Sequence, residues 1–237
     1  MGTDVGTALE PDPSGLAMYA LQPSTAVARP VSTAWEHGKR AFDVVLAVAM
    51  LLVSVPLLAL MALIIRLDSP GPLLFRQERY GHGGRRFTIL KFRTMYDGVS
   101  PEIHRRYIAK LAAATEDDGR TLKKLTGDPR VTRAGAFLRR TSIDELPQLI
   151  NVIKGEMSIV GPRPALGYEL EHYALEHFER FDVRPGITGL WQVSGRNAIG
   201  FVGMLDLDTE YVRTASPRVD ALILLRTPWA VARGNAA

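Results

Sequence analysis

From Ala41 to Ile65 the chain reads AFDVVLAVAMLLVSVPLLALMALII, an apolar run with a single charge, Asp43. A bilayer core takes about 20 helical residues to cross, whereas a buried core helix rarely carries more than about 14 apolar residues in a row, so the run is long enough to enter a membrane. Ser54 and Pro56 interrupt it near the middle. A proline inside a helix removes one backbone hydrogen bond and crowds the preceding turn, so the pattern predicts a kink or break near residue 54. Cations flank both sides: Lys39 and Arg40 before, Arg66, Arg76, Arg79, Arg85 and Arg86 after. A spanning helix concentrates positive charge on one side. The two-sided distribution favours a re-entrant helix-break-helix over residues 37–67, dipping into one leaflet and returning, ahead of a straight span or a buried core helix.

Beyond this run the pattern changes period. Leu73-Leu74-Phe75 and Phe87-Thr88-Ile89-Leu90 read as short strands around a glycine-rich hairpin at Gly81 to Gly84. Lys91 and Arg93 alternate with Phe92, which in a strand sends both cations to one face. Residues 100–125 read as an amphipathic surface helix, with Ile103, Tyr107, Ile108 and Leu111 at helical spacing and a break at Glu116-Asp117-Asp118-Gly119. Ser142 followed by Glu145, ahead of Leu146, Leu149, Ile150 and Ile153, is the spacing of a capping box and predicts a helix start. Near the end, Ala221 to Ala230 is apolar but too short to span, and suits a lipid interface. The elements add up to an α+β fold: a re-entrant membrane helix, and a small cytosolic domain over 68–237 with short strands and interfacial amphipathic helices.

Composition narrows the partners. The 237 residues allow one domain with attachments, and residues 1–36, rich in Pro, Ser, Thr, Gly and Ala, read as a disordered tail. Cysteine is absent, which excludes disulfides and thiolate metal sites. A formal charge of +4 points to an anionic partner. No nucleic acid is expected, because the cations are interleaved with turn residues instead of arrayed on one helix. The histidines make no metal site: His172 and His177 are five apart, and no HExxH pattern occurs.

The candidate chemistry gathers between Phe137 and Pro164, FLRRTSIDELPQLINVIKGEMSIVGPRP. In a helix's first turn, Asp144 and Glu145 would be kept ionised by the backbone dipoles, which suits a nucleophile or a cation ligand; complementing the dipole alone is the plainer alternative. Arg130, Arg133, Arg139 and Arg140 crowd the same region, as a diphosphate would require or as salt bridges to Asp128, Asp144 and Glu145 would explain. The stretch RPGITGLWQVSGR, 184–196, has the glycine density of a backbone that approaches a ligand, with Trp191 packing and Gln192 and Arg196 facing the ligand.

Taken in order, KRAFD, LDSPGP, FRQER, KFRTM, the stretch from GDPRVTR to GPRP, and RPGITGLWQVSGRN resemble the monotopic phosphoglycosyl transferases, the bacterial sugar transferase family, over about Lys39 to Arg233. The resemblance implies transfer of a sugar 1-phosphate, galactose or glucose, from a UDP-sugar to undecaprenyl phosphate as the first membrane step of exopolysaccharide synthesis. It implies a ping-pong mechanism with Asp144 as nucleophile and Mg²⁺ ligand and Glu145 as its partner. Lys91, Arg139 and Arg163 match phosphate-contacting positions, with Arg184, Gln192 and Arg196 on the nucleotide-sugar side. Location in the inner membrane with the domain on its cytoplasmic face and contact with membrane lipid are further implications; the oligomeric state, a homo-oligomer among the options, stays open. Many relatives have Ser-Pro adjacent at the helix break; here Val55 separates Ser54 from Pro56. A direct ternary-complex transfer and a membrane-anchored scaffold without activity are the competing readings.

Overall fold

A computed structural model describes residues 33–99, 102–112, 128–195 and 199–233. The acidic break at 116–119, Arg196 and the first 32 residues of the expected tail lie outside these; Thr33 to Glu36, read as tail, already belong to a helix.

That helix, α1, spans Thr33–Asp68 with Pro56 inside it. One element stands where a break into two was expected. Pro56 leaves the Leu52 carbonyl without its helical donor, and Ser54 Oγ donates to the Leu51 carbonyl 3.1 Å away, a local bond of the kind that bends helices. Ser54 thus bonds within its own turn, to the Leu51 carbonyl and not to the one that Pro56 frees.

Only a narrow stripe of α1 packs. Asp43, Ala47, Met61 and Ile65 are buried, with Leu51 and Leu58 partly so, at spacings of three and four that put them on one helical face. The rest stays open: Val45 is 69% exposed, Val53 83% and Leu67 79%. α1 is therefore long and apolar enough to anchor in a membrane. Both ends are fastened to the same body of protein. Near the start, Asp43 accepts from Ser158 Oγ at 2.7 Å and from the Ile159 N–H at 3.3 Å, while Lys39 pairs with Asp220 at 2.6 Å. At the end, Met61 and Ile65 pack on Phe92 and Leu138, and Asp68 accepts from the Ala134 N–H at 3.1 Å.

The hairpin forms where expected but longer. β1 (Leu74–Tyr80) pairs antiparallel with β2 (Arg86–Phe92), Leu74 opposite Phe92 and Tyr80 opposite Arg86. Residues opposite one another share a face, so Gln77 and Arg79 of β1 lie on the side of the sheet that carries Ile89 and Lys91. A helix over Glu102–Ala112, α2, lies within the expected 100–125 helix, whose remainder over 113–125 lies outside the described residues, and its Ile108 packs against Phe201, Met204 and Leu205. Then follow α3 (Arg133–Thr141), a 3₁₀ helix (Ile143–Gln148), α4 (Leu149–Lys154) and β3 (Ser158–Val160), which pairs in parallel with β4 (Gly186–Thr188). Two 3₁₀ segments, Gly167–His172 and Leu175–Asp182, connect β3 to β4. After β4 come the short α5 (Leu190–Val193), α6 (Phe201–Thr214) and α7 (Pro217–Ala232).

The main core joins Ala47 of α1 to Ile89, Leu149, Val152, Met157, Ile159, Val160, Tyr211 and Ile223. Burying side chains of this kind contributes about 1.5–3 kcal/mol each, so the start of α1 is part of the domain's stability and not a detachable leash. α7 buries Ile223 and Asp220 and exposes Leu222, Leu225 and Trp229, the two-sided pattern expected of an interfacial helix.

Candidate active site

Ser142 links α3 to the 3₁₀ helix with no spacer, and its φ of 57° makes it the non-glycine residue in the left-handed region among those described. Few non-glycine residues adopt this conformation; here it turns the chain sharply enough for Arg139, before the turn, and Asp144, after it, to face one another. The expected capping box does not form. Ser142 contributes no side-chain cap, and its carbonyl accepts from the Glu145 N–H at 3.2 Å, while the Glu145 carboxylate reaches away to Lys91. Tertiary pairing has taken the carboxylate that a capping box would use.

Four elements supply the site. Lys91, from the end of β2, donates to Glu145 Oε1 at 2.9 Å, and Gln148 donates to Glu145 Oε2 at 2.8 Å. Arg139, from α3, is fixed by Nε to Thr94 Oγ1 at 2.9 Å. Arg163, from the Gly-Pro-Arg-Pro turn after β3, pairs with Glu169 at 3.0 Å. Gly135 lets α3 come this close, since any side chain there would collide with the Thr94 backbone.

The two carboxyl groups differ in their environment. Burial raises Asp144 to about 6, with the charge of Glu145 adding to the rise and Lys91 and Arg139 opposing it. Burial also works against ionised Glu145, but Lys91, then Gln148 and Arg163, hold it below the usual carboxylate range. The expectation that helix dipoles keep both groups ionised is thus corrected for Asp144: it is 8% exposed, and burial outweighs a dipole from one short 3₁₀ turn. Such a pair holds one readily ionised carboxylate and one poised near neutrality, faced by three cations.

The remaining predicted residues fall elsewhere. Arg184 donates through Nε to the Gly155 carbonyl at 3.0 Å, and Arg40 donates to the carbonyls of Val152 and Ile153 at 2.6 and 2.9 Å. Both cations thus cap the carboxyl end of α4, where free carbonyls gather. The glycines that suggested a ligand serve the chain itself: side chains at Gly186 or Gly189 would strike the backbone of Gly161, which lies against them beside the β3–β4 pairing. Gln192 lies on α5, buried, in a cavity of 310 Å³ lined also by Ser194, Gly195, Arg226, Trp229 and Arg233. Trp191 packs against the cluster of Ile108, Phe201, Met204 and Leu205, as expected. Arg93, paired by alternation with Lys91, turns instead to Ser69 and Pro70, where it holds the turn after α1.

Sequence reasoning passed over Arg79, Gln148, Glu169 and Arg180. The strand alternation Gln77, Arg79 could have pointed to Arg79; Glu169, in GYELEH, reads like a surface turn.

Among the described residues no group of three or more His, Asp or Glu side chains is arranged to hold a metal. His177 is engaged by the Ala174 N–H at 3.1 Å and Asp206 at 3.0 Å. The Asp144-Glu145 pair suits an ion such as Mg²⁺, which takes one or two carboxylates and completes its shell with phosphate oxygens and water.

Comparison with known proteins is consistent along the chain. The sequence model of the family described as bacterial sugar transferase matches residues 34–234. The chain is 40% identical over 216 residues to the exopolysaccharide production protein ExoY of Sinorhizobium fredii, covering 90% of this chain and 92% of that protein. It is 43% identical over 197 residues to the UDP-glucose:undecaprenyl-phosphate glucose-1-phosphate transferase of Caulobacter vibrioides, covering 80% of this chain and 67% of the relative. To the undecaprenyl-phosphate galactose phosphotransferase of Salmonella typhimurium it is 39% identical over 199 residues, which is 84% of this chain and 41% of that longer protein.

Proposed function

The chain belongs to the bacterial sugar transferase family, and on that premise we propose that it moves a sugar 1-phosphate, galactose or glucose, from a UDP-sugar to undecaprenyl phosphate for exopolysaccharide synthesis. The observation that carries the reading is the adjacent pair of buried Asp144 and half-buried Glu145, with the charges of Lys91, Arg139 and Arg163 acting on it. Anion recognition by guanidinium groups beside a carboxylate nucleophile is what phosphoryl transfer to and from an enzyme requires.

In the first half-reaction an Asp144 oxygen attacks the β-phosphorus of the UDP-sugar. The bond from that phosphorus to the bridging oxygen breaks, and UMP leaves with the bond's electrons. Lys91, Arg139 and Arg163 face the charge that builds on the phosphoryl oxygens. Mg²⁺ held by Asp144, Glu145 and the diphosphate would supply further charge neutralisation. In the second half-reaction an oxygen of the lipid phosphate attacks the same phosphorus, and the bond to Asp144 breaks, leaving the lipid-linked diphosphosugar and a free carboxylate. Glu145 stays ionised beside the centre, placed to orient the incoming phosphate or accept its proton.

The attachment of both ends of α1 to one domain supports a re-entrant placement, with the site at the cytoplasmic face of the inner membrane. Because the protein lacks cysteine, Cys introduced at Glu36 and at Arg76 reports sidedness. Neither should react with an impermeant thiol reagent until the membrane is opened, and reaction of one site in intact cells would exclude this placement.

The activity test is release of UMP from a panel of UDP-sugars by purified protein with undecaprenyl phosphate and Mg²⁺. Wild type should release it from one sugar preferentially and Asp144→Asn should not; equal function of Asp144→Asn in cells would favour the scaffold.

A further inference from the structure

Behind Arg163 lie buried charged groups that the transfer chemistry does not itself use. Glu169 and Asp208 are both 0% exposed, and Arg79 and Arg180 are buried with them. Glu169 accepts from Arg163 Nη1 at 3.0 Å with one oxygen and from the Leu166 N–H at 2.8 Å with the other. One carboxylate therefore ties the arginine's side chain to the backbone of its own loop. Arg180 donates to the Arg163 carbonyl at 2.6 Å and to Asp208 Oδ2 at 2.6 Å, and Arg79 donates to the Pro164 carbonyl at 3.1 Å. Tyr80 adds a two-way backbone pairing with Ala165, at 2.9 and 3.2 Å.

Arg163 is thus gripped at its guanidinium, its own carbonyl and the carbonyl that follows. Its side chain keeps 27% exposure while that of Glu169 has none, so the carboxylate holds it from the buried side and leaves the other edge open. Buried ion pairs are rarely the most stabilising way to fill a core, and apolar side chains of similar volume often do as well or better. Several ionised groups around one short loop are accounted for when the loop's arginine must be aimed. Arg163 lies close enough for its charge to act on Glu145.

We propose that Glu169 is a positioning residue that holds the Arg163 guanidinium toward Asp144 and Glu145, so that it meets the donor's diphosphate already oriented. This rests on the transferase reading of the site. A group fixed from behind by a fully satisfied partner loses little freedom when the substrate binds, and what it adds appears in the rate.

A double-mutant cycle on full-length protein tests it, with kcat/KM for UMP release measured for wild type, Arg163→Gln, Glu169→Gln and the double variant. Glu169→Gln should lower kcat/KM about 10–100-fold, as loss of the outer partners of active-site ligands does. In the Arg163→Gln background the same change should cost less than about threefold, because the arginine it positions is gone. A purely structural Glu169 would give the same penalty in both backgrounds, and that result, or a wild-type rate for Glu169→Gln, overturns the proposal. Where Glu169→Gln does not purify folded, Glu169→Asp, which keeps the charge but retracts it by one methylene, replaces it in the same cycle with the same two outcomes. Absence of UMP release by the wild type with every UDP-sugar would overturn the transferase reading itself, and is told apart because it needs no substitution.

Discussion

Arg130, Arg133, Arg139 and Arg140 are neighbours in sequence and Arg79, Arg163 and Arg180 are not, yet the fold scatters the first set and gathers the second. Arg130 is taken by Asp128, two residues away, with bonds of 2.7 to 3.1 Å. Arg133 and Arg140 lie seven apart on α3, hence on one side of it, and both are exposed. Arg139, about 100° around the helix from Arg140, alone turns toward Asp144. The second set comes from β1, the Gly-Pro-Arg-Pro turn and a 3₁₀ segment, and meets around Glu169 and Asp208. A run of like charge in sequence is relieved locally by pairing and helical rotation. A buried cluster has to be assembled by topology and offset by buried carboxylates, and such a cluster is the better guide to where an anion is handled.

The largest expected difference between the sets is in rate. Arg163→Gln should lower kcat/KM by about 10²–10³, the scale of losing one donor aimed at transition-state charge, whereas Arg140→Gln should leave it within about twofold. Steady-state UMP release measures both, and equal losses would dissolve the distinction.

A pH profile sharpens it further. Asp144 attacks as the carboxylate, and burial raises it to about 6, so the donor half-reaction should fall about tenfold per unit as pH drops below 6. That limb belongs to the coupled Asp144-Glu145 pair. Arg163 helps hold Glu145 low, so Arg163→Gln should move the limb to higher pH and Arg140→Gln should not. For stability the sign is opposite. A carboxyl raised in the fold contributes stability fully present below its unfolded value, near 3.9, and lost as pH rises through about 6, which denaturant titration of wild type against Asp144→Asn would resolve.

Smaller effects act on the framework that carries the first set. Gly135→Ala forces a methyl into the Thr94 backbone, which cannot retreat as a side chain would, and should cost about 1–3 kcal/mol in denaturant unfolding. Arg130→Gln takes the guanidinium from Asp128 but leaves the backbone N–H bond at 3.0 Å, and should cost about 1 kcal/mol, with kcat unchanged.

The same contrast marks what could be read from sequence. α1 and the β1–β2 hairpin were legible because one long apolar run and two alternating stretches carry their own period. Asp144, Glu145 and Lys91 were legible as a set through the motifs, and they do meet. The start of the 3₁₀ helix was not, because it begins at a left-handed Ser142 shared with the end of α3, and Glu145 answers to Lys91 in another element. Glu169 was hidden because nothing local separates a buried glutamate in GYELEH from an exposed one. The stretch from Arg184 is ambiguous in sequence, because glycines that let β4 approach Gly161 look like glycines that admit a ligand.

The most direct test of the account is intact-protein labelling with a UDP-sugar carrying label in its β-phosphate, with no lipid acceptor present. Wild type should take up label while releasing an equal amount of UMP and give the label up when undecaprenyl phosphate is added, and Asp144→Asn should do neither. Release of UMP that requires the lipid, with no label on the protein at any time after rapid quenching, would contradict attack by Asp144 and leave direct transfer between the two substrates.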